Sequence, residues 1–401
     1  MSNAVPATTE RAPLPRPVSA WIYASAVAGL VVGLAAFVLG ALGPTPAAAW
    51  QALLINFLFW SSLAQGAFLW SVAFRIARTT WSAPINRLGH SAIWFLGFSL
   101  LVFALLFAGR RFYLPWVTAD LGDRAIWLSV PFLFLRDGVG LLLLFLFGLA
   151  YVRTYLRHDS NSVEQVSNLL PWRVAARRLS VLGVVLAVLY TITATLITFD
   201  LIMSLLPAWY SALFGWYYWL GGLYGGMAAL IVMAVLLRRW LGADLGRQHF
   251  QDLGNLLMAL AMAMTYFFFA QALTIWYENL PPETVFALAR VHHQPWQALS
   301  WVLIGVCYLG PFALLVMREM KENPRTLCAV ALLVLAGLWF ERYLLIVPSL
   351  TPRYPGFPIL VPLIGAGFLG AFILTTAPFL ARLPAESPLD LALTQEREAW
   401  S

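Results

Sequence analysis

The segment Thr198–Gly222, TFDLIMSLLPAWYSALFGWYYWLGG, consists almost entirely of apolar and aromatic residues, yet it contains one carboxylate, Asp200. It ends one long apolar run and begins the next. An apolar run of about 20 residues spans the hydrocarbon core of a bilayer as a helix. The segment therefore predicts parts of two membrane-spanning helices and an acid placed at membrane depth.

The composition of the whole chain agrees with this prediction. Of its 401 residues, 61% are hydrophobic and only 11% are charged, whereas about 25% of residues are charged in a typical soluble domain. The apolar runs are continuous rather than alternating, which favours helices over barrel strands. We therefore predict an all-α polytopic membrane protein. Its ten transmembrane helices are predicted at residues 20–42, 51–76, 90–109, 127–152, 180–206, 211–237, 252–279, 294–317, 326–347 and 358–381.

The positive charges predict the orientation of these helices. Of the 25 Lys and Arg residues, 18 lie in or beside the segments on the side of the termini, 5 lie on the other side, and Arg136 and Arg342 lie inside helices. This asymmetry predicts that both termini are cytoplasmic. The net charge of +7 is then a topology signal, and no basic cluster is dense enough to predict a nucleic-acid partner. We predict a disordered cytoplasmic segment at 1–19, a transmembrane domain at 20–381 and a cytoplasmic tail at 382–401.

The residues that bind metals and redox cofactors are scarce. The two cysteines, Cys307 and Cys328, lie inside predicted helices, and the chain has no CxxCH motif for a c-type haem. The five histidines lie in loops or at helix edges, and no two are spaced to hold a haem between helices. Iron–sulfur clusters need about four thiolates. We therefore expect that this chain binds no metal and no redox cofactor of its own.

Ionisable groups inside the predicted helices are the strongest functional signal. Such a group costs about 2.5–3.5 kcal/mol at the centre of the membrane, so it is a functional candidate by default. A buried carboxylate must be paired or protonated, which suits a proton relay. The ionisable residues at or near membrane depth are Arg136, Asp137, Asp200, Glu278, Glu341 and Arg342, of which Glu278 lies at the outer end of the seventh helix.

The neighbours of these acids extend the candidate proton path. Adjacent residues point about 100° apart on a helix, so Arg136 and Asp137 are each expected to find a partner on another helix. Tyr190 and Thr193 form a stripe with Asp200 on the fifth helix. The alternative that such hydroxyls only bond to their own helix stays open. His90, after the second helix, completes the set of proton-path candidates.

A short internal repeat predicts the arrangement of the helices. Asp200 precedes Pro207 by seven residues, and Glu341 precedes Pro348 by the same distance, each after a Phe. Both acids lie on helices that run toward the outer surface. This spacing predicts a duplicated unit, with one four-helix bundle from helices 2–5 and a second from helices 6–9, flanked by two peripheral helices.

Three separated motifs carry a resemblance to a known family. FDLIMSLLPAWYSALFGWYYWLGG resembles the segment (H)DWIMSLxPHWxSTxFGWY, and WSAPINRLGH at Trp81–His90 resembles WRxxINRxxE. FFFAQALTIWYENLPPET at Phe267–Thr284 resembles FxxxQxxxIWYxNxPEE. These segments belong to the NrfD/PsrC-like family of ten-helix integral membrane subunits, as found in alternative complex III. The three motifs occur in the family's order and cover most of the chain.

The resemblance implies a place in a bacterial electron transport chain, respiratory or photosynthetic. A complex of this type oxidises quinol and passes electrons through haem and iron–sulfur centres on other subunits. Its NrfD-like subunits carry no redox cofactor and lie in the cytoplasmic membrane. The implied partners are an NrfD-like paralogue, an iron–sulfur subunit, subunits with haem c, and membrane lipids. The implied role is to anchor the complex and to conduct protons through buried carboxylates.

The sequence departs from the quinol-binding member of the family. The acid of its fourth helix is kept as Asp137, but Phe107, Gln65 and Phe199 stand where that member has histidines. A Phe side chain cannot take a proton from a quinol hydroxyl. Two alternatives stay open, a quinol-binding catalytic subunit and a secondary transporter. The quinol or quinone site of the first alternative would use Arg136, Asp137, Arg110, Arg111 and Tyr113.

Overall fold

The computed structural model describes residues 20–77, 79, 81–159, 170–238, 245–351 and 357–381. The predicted terminal segments, 1–19 and 382–401, lie outside the described residues. Within the described ranges, ten helical segments are long and apolar enough to cross a membrane. The prediction of an all-α polytopic membrane protein with ten spanning helices is therefore confirmed.

The helices begin where apolar runs begin, and several start at a proline, whose missing N–H is not needed in a first turn. They are α1 (Ala20–Leu42), α2 (Pro46–Ile76), α3 (Ala83–Ser91), α4 (Ile93–Ala108), α5 (Arg110–Tyr113), α6 (Val130–Asp159), α7 (Leu170–Leu201), α8 (Ala212–Leu236), α9 (Arg247–Glu278), α10 (Pro281–Val291), α11 (Trp296–Leu303), α12 (Gly310–Val316), α13 (Arg318–Glu322), α14 (Pro324–Leu350) and α15 (Leu360–Leu380).

The spanning helices pack as two bundles. One contains α2, α4, α6 and α7, and the other contains α8, α9, α14 and the broken helix α11–α12. The bundles meet along α2, which is the most buried of the described spans, and α8. A side chain at Gly66 would overlap the backbone of Gly222, so these glycines permit the close approach of the two helices.

The peripheral helices α1 and α15 pair with each other and lie against α2. A Cβ atom at Gly33 would lie 2.5 Å from the Cα atom of Gly367. Small residues let helix backbones approach in lipid, where no hydrophobic force drives helices together. The first and last spans therefore close onto the first bundle as one unit.

The two ends of the bundles differ in charge. Arg75 ends α2, Arg238 follows α8, and Arg247 and Arg325 begin α9 and α14. We call this side of the molecule the basic end. The other side, the opposite end, holds α5, α10 and the segment before α6.

Two details of the predicted elements are wrong. The segment Trp81–His90, predicted as a loop, contains the helix α3, which is buried between α2, α8 and α15. The third span is therefore α3 followed by α4, with a break at Ala92. The apolar residues of APINRLGHS recur at helical spacing. The segment is short and contains several polar residues, so a search for long apolar runs does not detect this helix.

The eighth span, predicted as one continuous helix, changes to a π-helix at Ile304–Leu309 between α11 and α12. Pro311 has no N–H to donate to the carbonyl of Cys307 four residues earlier. The Tyr224 hydroxyl of α8 donates to that carbonyl instead, at 3.1 Å. A side chain from another helix thus stabilises the wider turn.

Candidate functional site

The first polar centre lies between α6 and α7, and we call it the Asp200 centre. The Arg136 guanidinium binds both carboxylate oxygens of Asp200, with Nε 2.6 Å from Oδ2 and Nη2 bonded to Oδ1. Trp127 Nε1 donates to Asp200 Oδ1 at 3.2 Å, and the Trp127 carbonyl accepts from Arg136 Nη1 at 3.0 Å. The Arg136 guanidinium also lies 3.8 Å from the Trp127 ring centroid. This two-point pairing matches a planar guanidinium to a carboxylate.

Asp137 is the fourth member of this centre and has a different environment. Its side chain is fully buried, neither carboxyl oxygen accepts from an N–H or hydroxyl donor of a described residue, and the polar group that it faces is the carboxyl of Asp200. Its interacting charged neighbours are Asp200 and Arg136. Because the direct bonds of Arg136 go to Asp200, Asp137 feels this one cation only at a distance and has to share it with a second carboxyl. A charge without a partner is costly in a low dielectric, so Asp137 is the group of this centre best suited to hold a proton.

The second polar centre lies in the other bundle, and we call it the Glu341 centre. The hydroxyls of Tyr217 and Tyr308 both donate to Glu341 Oε1, the latter at 2.9 Å. Arg342 Nη1 donates to Glu341 Oε2 at 3.1 Å. The Arg342 guanidinium lies 4.3 Å from the ring centroid of Tyr218. One acid and one cation are therefore balanced inside a shell of phenols.

The helices α8, α14 and the π-helix position this centre. Tyr308 lies in the π-helix, and such single wide turns occur frequently at functional sites. The hydroxyl oxygens of Tyr308 and Tyr217 are also 2.5 Å apart, so either phenol can donate to the other instead of to the carboxylate. Sequence analysis missed both tyrosines. The signal that could have found them is Pro311, which marks a disturbed helix beside an acid-bearing one.

A third element closes the opposite end above the Glu341 centre. Pro348 inside α14 cannot donate to the carbonyl of Leu344, and Arg290 of α10 replaces the missing donor, with Nε 2.8 Å from that oxygen. Arg290 Nη2 also donates to the carbonyl of Leu345 at 2.7 Å and to Ser349 Oγ at 2.9 Å. Burial lowers the pKa of the Arg290 guanidinium, while these acceptors stabilise its charge.

The remaining proton-path candidates fall into three places. The Tyr190 hydroxyl donates to the carbonyl of Trp219 at 3.1 Å. Thr193 is buried against Gly140, less than one helical turn along α6 from Asp137. Glu278 is exposed at the end of α9, and the structure brings it to neither centre. Tyr190 and Thr193 are therefore in the same interhelical region as Asp137, whereas Glu278 is separate from it.

His90 lies toward the basic end instead. Its ring packs 4.5 Å from the ring of Tyr155 and 5.6 Å from that of Tyr151, centroid to centroid. Tyr151 is 14 residues along α6 from Asp137, which is roughly 21 Å at helical rise. The two ring nitrogens of His90, both terminal nitrogens of Arg87 and Oδ1 of Asn86 have no hydrogen-bond partner among the described residues. Buried polar atoms of this kind are normally satisfied by internal water.

The residues of the alternative quinone site are engaged elsewhere or exposed. The buried Tyr113 hydroxyl donates to the carbonyl of Leu106 at 3.0 Å, and burial raises the pKa of this phenol. Arg110 packs over the Phe107 ring at 4.4 Å, and Arg111 is exposed. Together with the pairing of Arg136, these contacts do not converge on Asp137.

Two cavities border the first bundle. The larger, of about 250 Å³, opens at the opposite end and is lined by Arg124, Trp127, Phe199 and Trp209 among others, but by none of the five quinone candidates. The smaller, of about 10 Å³, lies between α2, α4, α6 and α7, and Gln65 and Tyr190 line it. Its accessible lining is apolar, and an apolar cavity of this size stays dry.

Among the described residues, no three His, Cys, Asp or Glu side chains come together as metal ligands. No protein-family model matches the chain, and no curated protein is significantly similar to it.

Proposed function

We propose that this chain is a membrane subunit of a quinol-oxidising electron transport complex, anchoring the assembly and conducting protons through its buried carboxylates. The subunit would be of the NrfD/PsrC-like type, in the position of the subunit called ActF in alternative complex III. The observation that carries the proton-conducting role is Asp137, a fully buried carboxyl without a hydrogen-bond donor among the described residues.

Charge balance in the Asp200 centre supports this role. Two carboxyl groups, Asp137 and Asp200, share one guanidinium, that of Arg136. Asp200 receives two bonds from Arg136 and one from Trp127, so its charge is stabilised. The surplus carboxyl is Asp137, and a proton that neutralises it is the one that can be exchanged. In the Glu341 centre no carboxyl is in surplus, so we assign it the bracing of the second bundle.

A set of polar groups extends from Asp137 toward the basic end. Thr193 of α7 is packed against Gly140, which lies less than one turn along α6 from Asp137, and Tyr190 and Gln65 follow beside the small cavity. His90 and the orphaned nitrogens of Arg87 lie beyond it. Water around His90 would continue this set of hydrogen-bonding groups toward the basic end. The direction of transfer would follow the membrane potential and the partner subunits.

In this proposal, partner subunits carry out the electron transfer. Haem and iron–sulfur clusters would lie on partner subunits, and quinol would bind to the NrfD-like paralogue. The membrane would be the bacterial cytoplasmic membrane, with both termini on the cytoplasmic side. Ten spanning helices and few exposed charges suit a subunit that holds such an assembly in the bilayer.

The test is to replace Asp137 by Asn in the assembled complex, with Glu278→Gln as the control because Glu278 is an exposed acid. Asn has nearly the same shape but carries no titratable proton. We expect Asp137→Asn to lower proton release per quinol oxidised while the complex stays assembled. Unchanged proton release would contradict the conducting role.

Isolation in mild detergent tests the anchoring role separately. We expect the chain to co-purify with haem-bearing subunits and with quinol oxidation activity. Purification of an intact chain without any redox partner, from membranes in which it is expressed at its natural level, would contradict the proposed complex.

A further inference from the structure

The 250 Å³ cavity at the opposite end shares a wall with the Asp200 centre. Trp127, Phe199 and Ser204 line this cavity. Trp127 Nε1 donates to Asp200 Oδ1 at 3.2 Å, and the Ser204 hydroxyl donates to the carbonyl of Asp200 at 2.5 Å. Phe199 precedes Asp200 in the chain. The wall between the cavity and the acid is therefore one residue thick, and the function proposed above makes no use of it.

The cavity also opens toward solution. It lies between the segment before α6 and the connection from α7 to α8, where spanning helices end. Arg124 and Tyr210 belong to its lining and are exposed. Liquid water occupies about 30 Å³ per molecule, so this volume has room for several water molecules. The Arg124 guanidinium gives that water a polar partner at the mouth.

Behind this wall the acids are closed off from such water. Asp137 and Asp200 are both 0% exposed, and the side chain of Arg136 is 9% exposed. The carboxyl of Asp137 faces that of Asp200. The cavity thus ends one residue short of the carboxyl pair, and a proton on Asp137 has no contact with the opposite end in this conformation.

Trp127 is the least constrained member of the wall. Phe199 lies in α7, and Ser204 lies in the short helical turn Met203–Leu205 that follows it. Trp127 lies in the turn before α6 and is 45% exposed. Its ring centroid is 3.8 Å from Cζ of Arg136. Because one side of the residue is open, the indole can rotate outward without displacing a helix.

We propose that the cavity is a water-filled vestibule and that the ring of Trp127 is the gate between this vestibule and the Asp200 centre. The gate is closed while the indole lies over Arg136, and vestibule water reaches the carboxyl pair when the indole rotates outward. The proton of Asp137 then passes to Asp200 and on to water, which leaves as hydronium. Asp137 remains as a carboxylate until a proton from the basic end replaces the one lost. The inference rests on the proposed function, in which Asp137 holds the exchangeable proton.

The experiment measures how fast the protonated carboxyl of Asp137 exchanges its proton for deuterium. The full chain, in the assembly in which it is isolated, is transferred to heavy water, and infrared spectroscopy follows the carboxyl band that Asp137→Asn lacks. The variants are Trp127→Ala, which removes the ring, and Trp127→Phe, which keeps a ring and removes the N–H. The control is Trp216→Ala in α8, because Trp216 lies at the same end and is exposed to a similar extent, 48%.

We expect Trp127→Ala to speed the deuteration about tenfold or more, and Trp127→Phe to stay within about twofold of the unchanged chain because a ring still closes the wall. Trp216→Ala should exchange at the rate of the unchanged chain. Where Trp127→Ala fails to fold, Trp127→Leu decides the outcome, since a Leu side chain is too small to take the place of the indole.

The failures of the gate and of the proposed function are distinguishable. If the Asp137 band is present and Trp127→Ala exchanges no faster than the unchanged chain or the Trp216→Ala control, the gate is overturned and the proposed function stands. If the unchanged chain has no Asp137 band, the proposed function is overturned and the gate with it.

Labelling with a small water-soluble methanethiosulfonate tests the vestibule itself. Met203→Cys places a thiol in the wall of the cavity, and Ala119→Cys places one on the exposed surface of the same end. We expect the reagent to label both variants and to leave the buried Cys307 unmodified. Labelling of Ala119→Cys without labelling of Met203→Cys would overturn the vestibule.

Discussion

The Asp200 centre and the Glu341 centre occupy matching places in the two bundles but balance charge differently. In each, an acid precedes a proline by seven residues on the fourth helix of its bundle. Asp200 is paired with Arg136, a guanidinium on another helix, and Asp137, the residue after Arg136, has no ion pair of its own. Glu341 takes its guanidinium from the next residue and fills its remaining positions with tyrosine hydroxyls.

The difference shows how one repeat can supply two properties. Where two carboxyl groups face one cation, one of them is best accommodated with a bound proton, which it can exchange. Where one carboxylate is paired with one cation and accepts further hydrogen bonds, it holds the surrounding helices together. The first bundle therefore contains the exchangeable proton of the proposed function. The second bundle supplies a rigid support, in which α8, α14 and the π-helix meet at one carboxylate.

The largest expected effect comes from removing Arg136. Replacing it by Gln leaves Asp200 and Asp137 buried without a cation, and breaking a buried pair in this way costs roughly 3–5 kcal/mol. We expect a strong loss of folded protein, measured as the yield of monodisperse protein and its melting temperature. The double variant Arg136→Met with Asp200→Leu should recover most of the loss. No recovery would show that the pair does not act as a unit.

The next effect tests the comparison itself. Glu341→Gln leaves Arg342 without its anion, so we expect the melting temperature to fall clearly. Asp137→Asn replaces a neutral acid by a neutral amide, and we expect its stability to change by about 0.5 kcal/mol or less. Infrared difference spectra should lose a protonated-carboxyl band in Asp137→Asn and keep it in Glu341→Gln. Loss of the protonated-carboxyl band in Glu341→Gln but not in Asp137→Asn would show that the exchangeable proton is in the Glu341 centre.

The smallest effect sharpens the description of the Glu341 centre. Tyr308→Phe and Tyr217→Phe each remove one donor from Glu341 and should cost about 1–3 kcal/mol. Tyr266→Phe, at an exposed tyrosine of α9, is the matched control. Thermal unfolding of the three variants in the same detergent provides the measurement. Equal stability of all three would show that the phenols do not support the carboxylate.

The spanning helices and their acids could be predicted from the sequence because apolar length and isolated charges are local signals. The expectation that Arg136 needs a partner on another helix also followed from helix geometry, and the structure provides Asp200. The same geometric argument does not hold at Glu341 and Arg342, which are adjacent and yet bonded at 3.1 Å. The Arg side chain is long and flexible. Its guanidinium can therefore reach the carboxylate of the preceding residue even though the two Cα–Cβ bonds point about 100° apart.

What the sequence could not provide depends on contacts between distant segments. Tyr217 and Tyr308 are 91 residues apart and meet only because the π-helix turns one of them toward α8. The burial of α3 depends on its neighbours α2, α8 and α15, so its polar residues gave no sign of it.

The exchange of donors at Pro348 has a consequence for how the chain matures. In lipid no water is present to bind the freed carbonyl of Leu344, so the end of α14 is complete only when Arg290 arrives from α10. α10 is synthesised before α14, so Arg290 cannot bind the carbonyl of Leu344 until α14 has inserted. Docking of α10 is thus complete only after α14 has formed, and a chain that ends before α14 would leave Arg290 without the carbonyl of Leu344.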